Sequence, residues 1–215
     1  MDCNIAACVA LWGVEVAIES VVVGAPIGSG AERVVYLHPA HDDRVIKINR
    51  DASRDRNVID HAYLSAIGTI PLLPKMYGWV ETQLGHGLMF EHIRDADGRT
   101  SIGLTDALRK GRMTIEEGHS LLREALVTLR KNGIILHDDE NVNNFLVQDV
   151  PPARRLILVD GFGPFEMTAK ARLRTRFRWL AREKTLRCSF NLLAAFQKEI
   201  EKVSHRQKVS IGAEV

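Results

Sequence analysis

Alternation of apolar and polar residues near the start of the chain predicts β-strands. Three apolar runs stand between turn residues, at positions 14–23, 34–37 and 44–48. Runs of this length, joined by short turns, are typical of an antiparallel meander. We therefore predict three strands within residues 14–50.

The next stretch combines a helical period with two more strands. Apolar residues recur at helical spacing over residues 52–67, and Gly68 follows as a stop signal. Residues 76–80 and 87–91 are short apolar runs that contain aromatic side chains. The pattern predicts one helix followed by a pair of strands.

The second half of the chain is mainly helical. Thr114 and Glu117 form a capping box, in which Glu117 is expected to reach back to the start of the helix. Residues 145–147 and 156–159 predict a second strand pair, and the chain beyond about residue 167 predicts basic helices. Strands and helices that are segregated in this way indicate an α+β fold.

Composition places the chain among ordinary globular proteins. It has 215 residues, 46% of them hydrophobic and 26% charged, and its net charge of +2 is too small to indicate a nucleic-acid binder. Its three cysteines form no paired motif, which argues against a disulfide framework. The apolar run 5–12 lacks the preceding basic residues of a secretory signal. We expect one cytoplasmic domain over residues 14–215, with residues 1–13 as an N-terminal extension.

A glycine turn and a strand lysine are the first candidates for chemistry. Gly28 and Gly30 begin a GxGxxR pattern that ends at Arg33 and continues as a strand, whereas a dinucleotide fingerprint would continue as a helix. The pattern fits either a plain hairpin turn or a lid whose amides cover phosphates. Lys47 lies 19 positions after Gly28 in an apolar strand. It either faces solvent or is held inward, where it could contact α- and β-phosphates.

The most informative segment is 137–144, which holds three acidic residues and three asparagines. It fits the pattern HxDxxxxN, in which Asp139 could orient a nucleophile and Asn144 could hold a metal. Asp160 ends an apolar strand and enters a glycine turn, a position suited to Mg²⁺. Each feature alone fits an ordinary turn. Their order along the chain favours phosphoryl transfer.

On these motifs, residues 20–165 resemble the protein-kinase superfamily. A narrower resemblance is to the YrbL family, the PhoP regulatory network proteins of bacteria, and it rests on GSGAER at 28–33, GLMFEHIRDADG at 87–98 and VDGFG at 159–163. The resemblance implies a bilobal kinase-like fold. ATP would lie between an N-lobe of about residues 14–92, built on an antiparallel sheet, and a mainly helical, truncated C-lobe of about residues 93–215.

The resemblance also implies a role for each matching position. The phosphate contacts would be Gly28, Gly30 and Lys47, the adenine contacts Glu91 and Ile93, the catalytic residues Lys47 and Asp139, and the Mg²⁺ ligands Asn144 and Asp160. The function implied is an ATP-dependent phosphotransferase of unknown protein or small-molecule acceptor.

Four departures leave other functions open. Arg33 replaces the third glycine, Asp138 replaces the arginine of regulated kinases, and no APE motif follows Asp160. The best candidate partner for Lys47 on the predicted helix is Asp60, which is shorter than the usual glutamate. The alternatives are a pseudokinase that regulates a partner, and an enzyme that transfers AMP.

The basic segment 170–187 is the last candidate. Its cations repeat every four residues, and Leu173, Phe177 and Leu180 form an opposing apolar stripe. The segment is either the solvated face of a packed helix or a binding surface for an anionic partner.

Overall fold

The computed structural model describes residues 18–51, 55–138 and 141–212, with side chains described as far as residue 204. The predicted extension 1–13 and the predicted strand residues 14–17 lie outside this part. The described chain is an α+β protein in which a six-stranded sheet is followed by helices and a three-stranded sheet.

The first sheet contains the predicted meander, with one correction at its edge. Its strands are β1 (Glu19–Val21), β2 (Pro26–Ser29), β3 (Arg33–Leu37), β4 (Arg44–Asn49), β5 (Met76–Thr82) and β6 (Gly85–Glu91). Their order across the sheet is β1-β5-β6-β4-β3-β2. β2, β3 and β4 are antiparallel neighbours, but the meander begins at β2 and not in the run 14–23. β1 pairs in parallel with β5, so the prediction of a wholly antiparallel sheet is wrong.

The alternation of side chains in β4 decides which way Lys47 points. Val45 belongs to the large core cluster, whereas Ile46 and Ile48 belong to a smaller cluster on the other face of the sheet. Lys47 is two residues from Val45 and therefore lies on the face of the large core. Helix α1 (Arg56–Ile67) packs over this face, with Tyr63 fully buried.

The second half supplies the remaining helices and a small sheet. These are β7 (Ile102–Gly103), α2 (Leu104–Arg109), α3 (Ile115–Lys131), a 3₁₀ turn (Val142–Asn144), β8 (Phe145–Val150), β9 (Ala153–Leu158), α4 (Ala169–Arg176) and α5 (Arg178–Gly212). Thr114 caps α3 as predicted, because its side chain accepts from the Glu117 amide at 3.1 Å. The Glu117 carboxylate accepts from Arg154 at 2.8 Å. No bond from the Thr114 amide to this carboxylate is among the described contacts, so the reciprocal half of the predicted capping box is wrong.

One buried apolar cluster connects both halves. It includes Phe90 of β6, Tyr63 of α1 and Phe196 of α5. The Ile135 amide donates to the Tyr63 hydroxyl at 2.9 Å, which fixes the segment before residue 137 against α1. No helix in the described part of the chain has the length and apolar character needed to cross a bilayer.

Candidate functional site

Three of the predicted site residues converge on the backbone of Val159. The Lys47 ammonium donates to the Val159 carbonyl at 2.5 Å. The Val159 amide donates to the Asn144 carbonyl at 2.8 Å. Asp160 is the next residue in the chain. The sheet and the 3₁₀ turn therefore bring Lys47, Asn144 and Asp160 to one place, although 112 positions separate Lys47 from Val159.

Lys47 points into the protein and not into solvent, although a lysine in a strand more commonly faces solvent. It is 5% exposed, and its ammonium lies 4.7 Å from the centre of the Phe90 ring. Burial, together with the charge of Arg33, lowers the pKa of Lys47 to about 8, against the opposing attraction of Asp160. A buried cation beside a carboxylate is suited to holding an anionic ligand.

Asp160 is an ionised carboxylate at the rim of the site. Burial opposes its ionisation, but Lys47 and Arg33 hold the pKa of Asp160 well below its usual range. Its Oδ1 atom accepts from the Arg33 guanidinium at 2.7 Å and from the Gly161 amide at 2.9 Å. The side chain remains 45% exposed. An incoming ligand can therefore approach the carboxylate from solvent.

Asn144 is positioned by its own turn. Its Oδ1 atom accepts from the Asn141 side chain at 3.2 Å, and Asn141 in turn caps the 3₁₀ turn by accepting from the Asn143 amide at 3.0 Å. The amide oxygen of Asn144 and the carboxylate of Asp160 are hard oxygen donors of the kind that Mg²⁺ prefers. These two residues therefore fit the predicted metal site by their chemistry.

Asp60 does not make the expected pair with Lys47. Its Oδ2 atom contacts Arg33 at 2.6 Å, and its Oδ1 atom lies 2.7 Å from Arg56. Asp60 is fully buried, and Arg33 is 4% exposed. Lys47 instead bonds Val159. The guanidinium of Arg33 reaches both carboxylates because its two terminal nitrogens point in different directions, so it connects Asp60 to Asp160.

Arg56 connects α1 to the segments on either side of the site. Its guanidinium donates to the carbonyls of Phe162 at 2.6 Å and Pro164 at 2.7 Å. It also lies 3.1 Å from Nε2 of His137. Burial and the charge of Arg56 lower the pKa of His137 to about 4. His137 is therefore neutral at physiological pH.

Asp138 faces α5, and its partners explain why an acid stands at this position. Its carboxylate lies 3.3 Å from Lys184 and 3.7 Å from Arg187. The Cys188 thiol donates to it at 3.2 Å, and this bond, with the nearby cations, lowers the pKa of Asp138. Burial, followed by the Asp138 charge, raises the pKa of Cys188 to about 11. Two cations of the basic segment, Lys184 and Arg187, are thus paired with a carboxylate of the same chain.

The glycine turn lies at the tip of the β2–β3 hairpin. The Gly30 amide donates to the Arg33 carbonyl at 2.9 Å, and Arg50 donates to the Gly30 carbonyl at 3.0 Å. A Cβ atom added at Gly28 would meet Val35 at 3.7 Å, and one at Gly30 would meet the Arg33 carbonyl at 3.6 Å. Both are ordinary contacts, so the fold itself does not require glycine at either position.

The two predicted adenine contacts lie where β6 leaves the sheet. The Glu91 amide donates to the Lys75 carbonyl at 2.8 Å. Ile93 is 3% exposed, and its carbonyl accepts from the Ser101 amide at 2.9 Å. That carbonyl is engaged within the protein, so adenine recognition by Ile93 would have to use other atoms.

The predicted catalytic base, Asp139, lies outside the described residues. The sequence interpretation also missed two residues, because it gave no role to Arg33 or Arg56. Arg33 was visible as a charged residue at the third glycine position. Arg56 was visible as a cation four positions before Asp60 on a predicted helix, a spacing that brings side chains together.

Comparison with known proteins identifies a family that fits the resemblance. The family described as PhoP regulatory network protein YrbL matches residues 23–197. Two curated relatives, both described as uncharacterized protein YrbL, come from Escherichia coli (strain K12) and Shigella flexneri. Each is 33% identical over 113 residues, which are 49% of this chain and 53% of the relative. The chain therefore spans about half the length of these relatives.

Proposed function

This chain belongs to the PhoP regulatory network protein YrbL family, and we propose that it is a kinase-like protein that binds ATP with Mg²⁺ and transfers a phosphoryl group. In this proposal the described protein has a bilobal arrangement, with the six-stranded sheet as one lobe and the helical half as the other. The acceptor is a protein or small molecule whose identity the site does not specify.

The observation that supports the proposal most directly is the convergence of Lys47, Asn144 and Asp160 around Val159. A phosphoryl-transfer site needs a cation for phosphates and oxygen ligands for a metal. Here a buried ammonium lies near an ionised carboxylate, and the backbone carbonyl of Asn144 bonds the residue that precedes this carboxylate. Ordinary turn chemistry would account for the Asp and the Asn, but it would not bury a lysine near the Asp.

Each residue then has a specific task. Lys47 would bind the α- and β-phosphates, and its backbone position in β4 keeps it fixed. Asn144 and Asp160 would hold Mg²⁺, which neutralises phosphate charge when it is bound. Gly28 and Gly30 would let backbone amides approach the phosphates. Asp139 would orient the acceptor hydroxyl and accept its proton.

A second function is favoured by the contact between Arg33 and Asp160. At 2.7 Å, Arg33 already neutralises the carboxylate that would bind the metal. A protein that retains this contact could bind nucleotide weakly, or hold none, and act as a pseudokinase on a partner. The two functions differ in whether phosphoryl transfer occurs.

Binding is tested first, by thermal denaturation with millimolar Mg-ATP. We expect a rise in melting temperature in the wild type because ligand binds only the folded state. The rise should disappear in Lys47→Met and Asp160→Asn and shrink in Gly28→Ala. It should persist in Asp97→Asn, a carboxylate on an exposed turn. No shift in the wild type would contradict the phosphotransferase and a nucleotide-binding pseudokinase, and it would leave only a pseudokinase that holds no nucleotide.

Transfer is tested with radiolabelled ATP, by measuring release of labelled phosphate and labelling of the protein. If the protein is an enzyme, Asp139→Asn should abolish transfer and leave the thermal shift intact. A thermal shift without transfer in the wild type would favour the pseudokinase. Transfer that is unchanged in Asp139→Asn would contradict the assigned base.

A further inference from the structure

A row of exposed apolar side chains follows α4 to its junction with α5. Leu173 is 50% exposed, Phe177 is 45% exposed and Trp179 is 64% exposed. The sequence placed Leu173 and Phe177 on a stripe opposite the cations, the usual arrangement for a packed face. In the structure, α4 instead buries the small residue Ala171 and half-buries Thr175.

The cations lie on both sides of this apolar row. Successive residues of an α-helix are turned by about 100°, so Leu173 lies opposite the face that contains Ala171 and Thr175. The Phe177 amide donates to the Leu173 carbonyl at 2.8 Å, so the helical turn extends as far as Phe177. The flanking residues at this spacing are Arg172 and Arg176 on one side and Lys170 and Arg174 on the other.

These flanking charges are not neutralised by any described residue. Residues 167–182 contain six Lys and Arg residues and no acidic residue. Arg178 and Arg182 are used in packing, since they donate to the carbonyls of Ile67 and Lys131, each at 3.1 Å. The four cations of α4 make no ion pair with any residue in the described part of the chain. The surface therefore presents apolar side chains between uncompensated positive charges.

We propose that α4, with Phe177 and Trp179, is a surface that binds anionic lipid bilayers. The cations would contact lipid phosphates, and the apolar row would enter the interface between headgroups and acyl chains. A surface for single-stranded nucleic acid would instead place the cations in a central groove that follows the phosphate backbone. The central position of the aliphatic Leu173 favours lipid. This binding does not depend on the proposed phosphotransfer.

The experiment is vesicle flotation of the full chain. Vesicles of phosphatidylcholine alone are compared with vesicles of equal parts phosphatidylcholine and phosphatidylglycerol, at low and at high salt. Two test variants are Arg172→Gln/Arg176→Gln and Leu173→Ala/Trp179→Ala. The matched control is Arg123→Gln/Val127→Ala/Arg130→Gln, which removes two exposed cations and a 51% exposed valine from one face of α3. Circular dichroism checks that each variant is folded.

We expect the wild type to float with the anionic vesicles only, and less at high salt. Each test variant should partition about tenfold or more weakly, and the α3 variant should behave as the wild type. Absence of flotation, equal loss in the α3 variant, or unchanged binding of Leu173→Ala/Trp179→Ala would overturn the proposal. Retention by a single-stranded oligonucleotide without flotation would overturn it in favour of nucleic acid.

Discussion

His137 shows how a single side chain is fixed by its neighbours. Arginine can only donate hydrogen bonds, so Nε2 of His137 must accept from Arg56, and the imidazole must be neutral. The ring also stacks on Phe165, with centroids 4.1 Å apart. Protonation would place a buried cation against the Arg56 guanidinium, which is why the pKa of His137 falls to about 4.

This lowered pKa predicts a pH dependence of stability. The unfolded chain binds a proton at His137 near pH 6.5, whereas the folded protein does not until about pH 4. The contribution of neutral His137 to the free energy of unfolding is therefore present above about pH 6.5 and is lost as the pH falls towards 4. Between pH 6.5 and pH 5 the loss should be about 2 kcal/mol. Urea unfolding of His137→Gln, which cannot titrate, should show a shallower decline.

The control for this measurement is His86→Gln, since His86 is exposed on β6. The free energy of unfolding of His86→Gln should decrease as the pH falls, by the same amount as that of the wild type. Parallel declines in the wild type and in His137→Gln would mean that His137 is not the titrating group.

At the scale of elements, Arg33 joins three parts of the chain that are distant in the sequence. It starts β3, contacts Asp60 in the middle of α1, and contacts Asp160 after β9. The carboxylate of Asp60 is buried, so loss of Arg33 would leave its charge compensated by Arg56 alone. Arg33 therefore sets the position of α1 relative to the candidate site.

We predict that Arg33→Met lowers the free energy of unfolding by about 3 kcal/mol, because it removes one partner of a buried ion pair. Arg50→Met is the matched control. It removes an exposed arginine that bonds the same hairpin and should cost about 1 kcal/mol or less. Chemical denaturation measures both values. Equal losses in the two variants would contradict the role given to Arg33.

Elements with a local pattern were predictable from the sequence, and pairings between distant residues were not. Hydrophobic periodicity identified α1, α3 and the β8–β9 hairpin because each pattern lies within one short stretch. The parallel pairing of β1 with β5 joins residues about 60 positions apart, such as Glu19 and Val80, and no local pattern encodes it. Periodicity also could not say which face of α4 is buried, because the small side chains of Ala171 and Thr175 do the packing.

The candidate site divides in the same way. Motif order predicted that Lys47, Asn144 and Asp160 share a site, and the fold links the three through the backbone of Val159 and Asp160. Their roles in binding stay predictions. The predicted pairing of Asp60 with Lys47 is wrong, because Asp60 contacts Arg33 and Arg56. Which of several nearby cations reaches a buried carboxylate depends on side-chain length and direction across three elements, and these follow only from the folded packing.

At the scale of the whole molecule, the main core is continuous. Phe90 of the large sheet, Tyr63 of α1, and Phe145 and Phe196 of the helical half belong to one buried cluster. A shared core means that neither half can expose its apolar face without exposing part of the other. The two halves are therefore expected to unfold together.

We predict a single unfolding transition, tested with Trp79 as a local reporter in the sheet. In Trp12→Phe/Trp179→Phe, urea unfolding followed by Trp79 fluorescence should coincide with unfolding followed by far-ultraviolet circular dichroism, which is dominated by the helices. Trp179 is exposed, so its replacement should cost little stability. Two separated midpoints would show that the halves unfold independently.

The buried thiol of Cys188, which donates to Asp138, allows opening of the protein to be measured by chemical labelling. Alkylating reagents react with the thiolate, and Cys188 is 1% exposed with a pKa of about 11. In a chain with Cys3 and Cys8 replaced by serine, alkylation must wait until α5 separates from the segment around Asp138. The labelling rate therefore reports how often α5 separates from Asp138, and a ligand that stabilises this region would slow the labelling.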